Sequence, residues 1–181
     1  WAAARRPILY LGGGVIHAGA AQVAREFAEK LELPTTMTLM ALGVLPQQHP
    51  LSLSMLGMHA APCTNLVLEE CDLLMCVGAR FDDRATGKVS EFCPKAEIIH
   101  VDIDASELNK IKAAQLPIVG DALGVLSALL PRVKHVARPE WLARVAALKA
   151  EHPLQLPGAA DPRTHYGLVL AAARAAGPEA I

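Results

Sequence analysis

The pattern of this 181-residue chain predicts an α/β fold: a doubly wound parallel sheet with helices on both faces, and a helical tail beyond it. Three observations carry that prediction. Short, almost wholly apolar runs recur along the chain, as strands buried on both faces do. Between them lie segments whose apolar residues return at three- and four-residue spacing, the period of helices packed on such a sheet. Several runs also end at glycine or at carboxylates, and the carboxyl ends of strands are where open α/β sheets bind their ligands.

Each element has its own grounds. Residues 8–11 (Ile-Leu-Tyr-Leu) form a strand that ends at Gly12-Gly13-Gly14. In residues 19–31, Val23, Phe27, Ala28 and Leu31 fall on one helical face, and most charges fall elsewhere. Pro34 stops that helix and opens a β-prone stretch at 35–39. Residues 43–57, punctuated by proline and glycine, read as loop. A helix is expected at 62–71, with Pro62 tolerated in its first turn. Strands follow at 73–77 and 97–102, a helix at 106–112, a short strand at 117–119 and a helix capped by Asp121 through 130. One α/β domain is therefore expected over residues 6–131. Residues 132–181 read as an amphipathic helix at 139–151 with Trp141, Leu142, Val145 and Leu148 as its stripe, a Pro/Gly-rich linker, and a last helix at 166–176.

Composition narrows the function classes. An apolar content of 52% with only 4% aromatics suits helices on a sheet better than a β-sandwich. Lys and Arg number 17 against 18 Asp and Glu, so no basic surplus argues for nucleic acid or a membrane surface. No apolar stretch is long enough to cross a bilayer. The four cysteines contain no C-x-x-C pair, which favours free thiols in a reducing cytosol. The chain starts without methionine or a signal-peptide layout, and is expected to be a piece of something longer.

The densest chemistry follows the strand at 73–77. Val77-Gly78-Ala79-Arg80-Phe81-Asp82-Asp83-Arg84 places two arginines and two aspartates within five residues at a core strand's carboxyl end. Such charges are costly there unless they meet a ligand, each other or water. The glycines at 12–14 do not complete G-x-G-x-x-G, because His17 stands where the third glycine is needed. They mark a tight turn or a close backbone approach to a phosphate or ribose. Gly87-Lys88 is not a P-loop, since Asp82 and Val89 occupy the required glycine and Ser/Thr positions. His59 and Cys63 stand four apart but have Pro62 between them and no second pair, which disfavours a metal site. Asp102 and Asp104 close one strand and Gly120-Asp121 another; such carboxylates hold ribose hydroxyls or start helices. No Ser/His/Asp arrangement is present, and Asp82 and Asp83, being sequential, make a poor acid/base pair.

Thr38-Leu39-Met40-Ala41-Leu42-Gly43, Leu56-Gly57-Met58-His59, Val77 through Arg84, Val101-Asp102-Ile103-Asp104 and Val119-Gly120-Asp121 together resemble one family, over residues 6 to about 131. It is the central domain of the acetohydroxyacid (acetolactate) synthase catalytic subunit, a thiamine-diphosphate enzyme. The chain departs from that family's pattern at Ala41, at Ala60-Ala61 and at Asn109-Lys110-Ile111. The resemblance implies an FAD held in extended form without net redox work. Gly13 would face the cofactor, and Thr38, Leu39, Met40, Leu56, Gly57, Met58 and His59 would line it. Gly78, Arg80, Asp82 and Arg84 would contact its ribityl-diphosphate region. Asp102, Ile103, Gly120 and Asp121 would hold the adenosine end. Met58, Asp83 and Arg84 match positions lining a substrate channel for an anionic 2-keto acid.

The implied parent is cytoplasmic and decarboxylates pyruvate on thiamine diphosphate with Mg2+. It joins the product to a second 2-keto acid in branched-chain amino acid synthesis. The family's catalytic residues lie in flanking domains, so no catalytic residue and no metal ligand is expected here, and the chain alone should be inactive. A homo-oligomer and a regulatory small subunit are implied partners. The competing expectation is a nucleotide-binding or structural module of a non-synthase flavoprotein or a sirtuin-like fold. Such folds have no reason to carry Phe81-Asp82-Asp83-Arg84 together with Leu56-Gly57-Met58-His59.

Overall fold

The computed structural model describes residues 3–177. Six parallel strands make one sheet: β1 (Pro7–Leu11), β2 (Thr35–Met37), β3 (Ser52–Met55), β4 (Leu73–Val77), β5 (Glu97–Asp102) and β6 (Leu116–Val119). Their order is β3-β2-β1-β4-β5-β6. The chain winds outward from β1 to one edge, returns to the centre, and winds outward to the other. The strand order therefore reverses between β1 and β4, and at that place the connections leave on opposite faces and open a crevice.

Side-chain alternation in the three central strands sorts the core into two layers. Ile8, Tyr10, Leu74, Cys76 and Ile98 point to one face, and Leu9, Leu11, Met75, Val77 and Val101 to the other. The first face is covered by α3 (Pro62–Glu70) and α6 (Pro139–Glu151). The second is covered by α1 (Gly13–His17), α2 (Ala21–Leu31) and α5 (Ala122–Leu129). This is the doubly wound arrangement expected from the pattern. In α2 the buried stripe is Ala24, Phe27, Ala28 and Leu31. Pro62 opens α3, and the Asp121 carboxylate caps α5 by accepting from the Gly124 amide at 3.0 Å. All four cysteines are buried and free of disulfides.

The structure differs from the expected elements in four places. Residues 52–55, inside the expected loop, form edge strand β3. This strand is only four residues long, carries Ser54 at φ 57 and has an irregular register with β2, so no apolar run announces it. Residues 13–17 form α1 where only a glycine turn was expected. Residues 106–112 form turns and bends, not a helix. There the Asp104 side chain accepts from the Ser106 amide, the Asn109 side chain accepts from Ala114, and Asn109 lies at φ 60. Such side chain-to-backbone bonds compete directly with a helical ladder. The stretch expected as strand to 39 ends at Met37 and continues as a 3-10 turn at Leu39–Ala41.

Past the sheet, α6 is a structural part of this body. Trp141, Val145 and Leu148 are buried against the first face, and the Trp141 indole donates to the Pro7 carbonyl at 3.1 Å. By contrast α7 (His165–Ala176) shows Tyr166, Leu168 and Val169 to solvent. Among the described residues no helix is long and apolar enough to cross a membrane.

Candidate functional site at the carboxyl edge of the sheet

Because all six strands run the same way, their carboxyl ends share one edge. Every residue singled out from the sequence falls there. Gly13 follows β1; Thr38, Leu39 and Met40 follow β2; Leu56, Gly57, Met58 and His59 follow β3. Gly78, Arg80, Asp82, Asp83 and Arg84 follow β4, Asp102 and Ile103 end β5, and Gly120 and Asp121 follow β6.

At the reversal point the backbones of β1 and β4 touch. A Cβ on Gly14 would lie 2.7 Å from the Gly78 Cα, and one on Gly78 would lie 2.8 Å from the Gly14 Cα. Gly78 also adopts φ 58, so both space and conformation require glycine there. Gly12 and Gly14 are thus spent on strand-to-strand approach. Gly13 is half-buried, and its nearest neighbour is the Met40 side chain.

Beside this contact a cleft of about 220 Å³ opens between α1 and α5. Gly78, Asp102, Ile103, Gly120 and Asp121 line it together, joined by Gly14 and His17. Asp102 starts no helix; its Oδ1 accepts from the Asp104 amide at 2.9 Å. Asp121 does start one, so its carboxylate has a structural duty as well as a place in the cleft.

A second crevice, of about 300 Å³, lies between α3, the 3-10 turn Gly57–His59 and the short helix α4 (Asp83–Thr86). It collects Met58, Asp83 and Arg84 with Asn65, Glu69 and Lys88. Gly57 holds its two walls together. Its φ is 84, and a Cβ added there would overlap the Arg84 carbonyl oxygen. Asn65 fixes Gly57 from below, accepting from its amide and donating to its carbonyl, both at 3.1 Å. Sequence reasoning missed Asn65. An asparagine inside a helix, where its side chain competes with the backbone, is the available signal.

Not every expected residue presents its side chain. Leu56 is buried in the first core layer, so its side chain faces away from the edge. The Asp82 carboxylate caps α4, accepting from Ala85 at 3.0 Å. His59 is exposed while Cys63 is buried, and among the described residues no three His, Cys, Asp or Glu side chains gather as metal ligands would. The guanidiniums of Arg80 and Arg84 are exposed, and neither has a protein hydrogen-bond partner among the described residues. Leu39, Met40, Met58 and Ile103 are between 65% and 72% exposed along the same edge, which is unusual for large apolar side chains.

Such an edge can take a long, mixed ligand. Apolar side chains suit a planar ring system, free guanidiniums suit a diphosphate, and strand-end carboxylates suit ribose hydroxyls. A dinucleotide such as FAD fits these residues. The buried Thr38 hydroxyl also lacks a partner among the described residues and immediately precedes the exposed Leu39 and Met40.

Comparison with known proteins places the chain. Residues 2–129 match the model of the thiamine pyrophosphate enzyme central domain. The chain is 57% identical over 179 residues to the acetolactate synthase isozyme 1 large subunit of Escherichia coli, covering 99% of the chain and 32% of that protein. It is 46% identical to the acetolactate synthase large subunit of Corynebacterium glutamicum (83% of the chain, 25% of that protein). It is 45% identical to the Escherichia coli isozyme 2 large subunit (83% and 27%). The chain thus spans about a third or less of the curated relatives it matches. A doubly wound sheet with a ligand-sized carboxyl edge agrees with the family match, and the chain belongs to the thiamine pyrophosphate enzyme central-domain family.

Proposed function

We propose that this chain is the FAD-binding central domain of an acetolactate synthase large subunit. The carrying observation is the carboxyl edge: two guanidiniums unpartnered among the described residues, exposed apolar side chains and strand-end carboxylates share it, in a chain 57% identical to such a subunit. Arg80 and Arg84 bind the diphosphate, Asp102, Ile103, Gly120 and Asp121 the adenosine half, and Gly13, Leu39, Met40, Gly57, Met58 and His59 the flavin half. Asp82 serves as the cap that sets α4, and Thr38 offers its hydroxyl. When bound, the flavin supplies structure to the edge, filling it with a rigid body. Met58, Asp83 and Arg84 form the mouth of the route taken by an anionic 2-keto acid, with Arg84 attracting the carboxylate.

The parent enzyme, with thiamine diphosphate and Mg2+ held by flanking domains of the same chain, condenses pyruvate with a second 2-keto acid in branched-chain amino acid synthesis. It works in the cytoplasm as a homo-oligomer, with a regulatory small subunit as partner. Residues 6–131 form the flavin unit; of residues 132–181, α6 packs on that unit, and the remainder leads toward the following domain.

Flavin titration followed by fluorescence tests the site. The wild type should bind FAD, and Arg80→Ala should weaken binding about tenfold or more, as loss of a charge-assisted contact does. Equal affinity in the two proteins would refute the assignment of Arg80. Acetolactate production by the full-length protein, and none by residues 1–181 alone, checks the division of labour.

A further inference from the structure

The stretch that carries Arg80 leaves β4 and runs over the sheet with its side chains alternating. Ala79 and Phe81 turn inward and are buried, and Arg80 between them turns out to solvent. An exposed loop could do this loosely, but here the backbone is gripped from below. The Ala79 carbonyl accepts two bonds, one from His100 Nε2 at 2.9 Å and one from the Cys76 thiol at 3.2 Å. The Arg80 carbonyl accepts a third, from the Tyr10 hydroxyl at 3.3 Å.

These three donors come from three different strands yet form a single row. In the sheet register Tyr10 of β1 is the partner of Cys76 of β4, and Cys76 is the partner of His100 of β5. Since strand neighbours in register project to the same face, the row presents hydroxyl, thiol and imidazole side by side beneath one short segment. Polar side chains in a doubly covered sheet are costly unless bonded, and all three spend their donors on the same two carbonyls. The rings complete the grip. Phe81 stands edge-on to His100 with centroids 4.9 Å apart, and tilted against Tyr10 at 6.1 Å.

We infer that Tyr10, Cys76 and His100 are positioning residues for the ligand at this edge: they hold the 79–81 backbone so that Arg80 stands outward at a fixed height above the sheet. The role rests on the flavin reading of the site, because Arg80 is the group so placed. Among the described residues Arg80 has no side-chain partner to hold it, so its position depends on the backbone that carries it. Pinning that backbone reduces the ordering cost of binding, which is how preorganisation raises affinity.

The test uses the full-length protein with two readouts, amide hydrogen exchange of the 78–88 segment without ligand, and FAD affinity. Tyr10→Phe keeps the packed ring and removes only the hydroxyl. His100→Asn removes the donor at the Nε2 position, and His100→Gln restores an amide donor near it. Tyr10→Phe and His100→Asn should speed exchange in 78–88 while the peptides of β1 and β4 stay protected, and should weaken FAD about three- to tenfold. His100→Gln should recover most of both. Unchanged exchange in 78–88 would overturn the inference, as would faster exchange with unchanged FAD affinity. A wild type that does not bind FAD at all would overturn the flavin reading and this role with it. That outcome is distinguished from the other two by the wild-type titration alone.

Discussion

At the ends of β5 and β6 the cleft wall consists of side chains tied to nearby backbone: Asp102 to the Asp104 amide, Asp121 to the Gly124 amide. The crevice beside α4 is built the other way, backbone against backbone, with Gly57 pressed on Arg84 and Asn65 clasping Gly57 from a neighbouring element. The first region forms from contacts two to three residues apart, and the second from contacts eight to twenty-seven residues apart. A locally built wall should tolerate the loss of one side chain. A wall made by tertiary contact should fail when one atom is added or its support is removed.

The largest expected effect lies beneath the crevice. Helix α3, which carries Asn65, is backed by α6, and Trp141 is the buried anchor of α6 with its indole bonded to Pro7. Trp141→Ala should cost about 3–5 kcal/mol of stability in denaturant unfolding, as large-to-small core changes do. A loss below about 1 kcal/mol would mean that α6 contributes little to the folded body. Next comes Gly57→Ala. Its left-handed backbone costs a side chain about 1–2 kcal/mol, and overlap with the Arg84 carbonyl adds about 1–3. The expected sum is about 2–5 kcal/mol. Proteolysis or exchange should show opening at 57–59 and 83–86 while the β5–β6 cleft stays protected.

The local wall should give a smaller number. Asp121→Ala removes an N-cap and should cost about 1 kcal/mol, whereas Asp121→Asn, itself a good cap, should cost only a few tenths. Equal losses for the two variants would show that the charge of Asp121, and not its capping bond, does the work in the free protein.

This contrast also explains what the sequence revealed. Strands β1, β4 and β5 are legible because each is a continuous apolar run, and Asp102, Gly120 and Asp121 because a strand end is a local position. Edge strand β3 is not: four residues with two serines and a positive φ carry no periodic signal, and pairing with β2 forms it. Residues 106–112 mislead in the opposite sense. Their spacing suits a helix, but Asp104 and Asn109 divert the backbone into turns. Asn65 and the row of Tyr10, Cys76 and His100 depend on register between strands or packing between elements. No window of sequence contains them.

The smallest expected effect concerns pH, and it tests a group that serves neither cleft wall directly. His100 is fully buried, with Nε2 donating to Ala79, so Nδ1 bears the lone pair and has no partner among the described residues. Burial holds its pKa below the ordinary value of 6.5, against the opposing pull of the Ala79 carbonyl, Asp102 and Glu107. The unfolded chain therefore takes up this proton at a higher pH than the folded one. The stabilisation from keeping His100 neutral is complete above about 6.5 and is lost as pH falls below it toward the depressed folded value. Asp104 and Asp161, whose pKa values are lowered from 3.8 by their hydrogen bonds, lose their contributions only at lower pH. The difference from His100→Gln between about pH 5 and 6.5 isolates this histidine, because the two proteins share every other titrating group. Thermal unfolding should show the wild-type midpoint falling faster than that of His100→Gln across this interval, with the two curves parallel above pH 7. Parallel curves throughout would show that water or a shifted partner reaches Nδ1 and that the imidazole is not held neutral by the core.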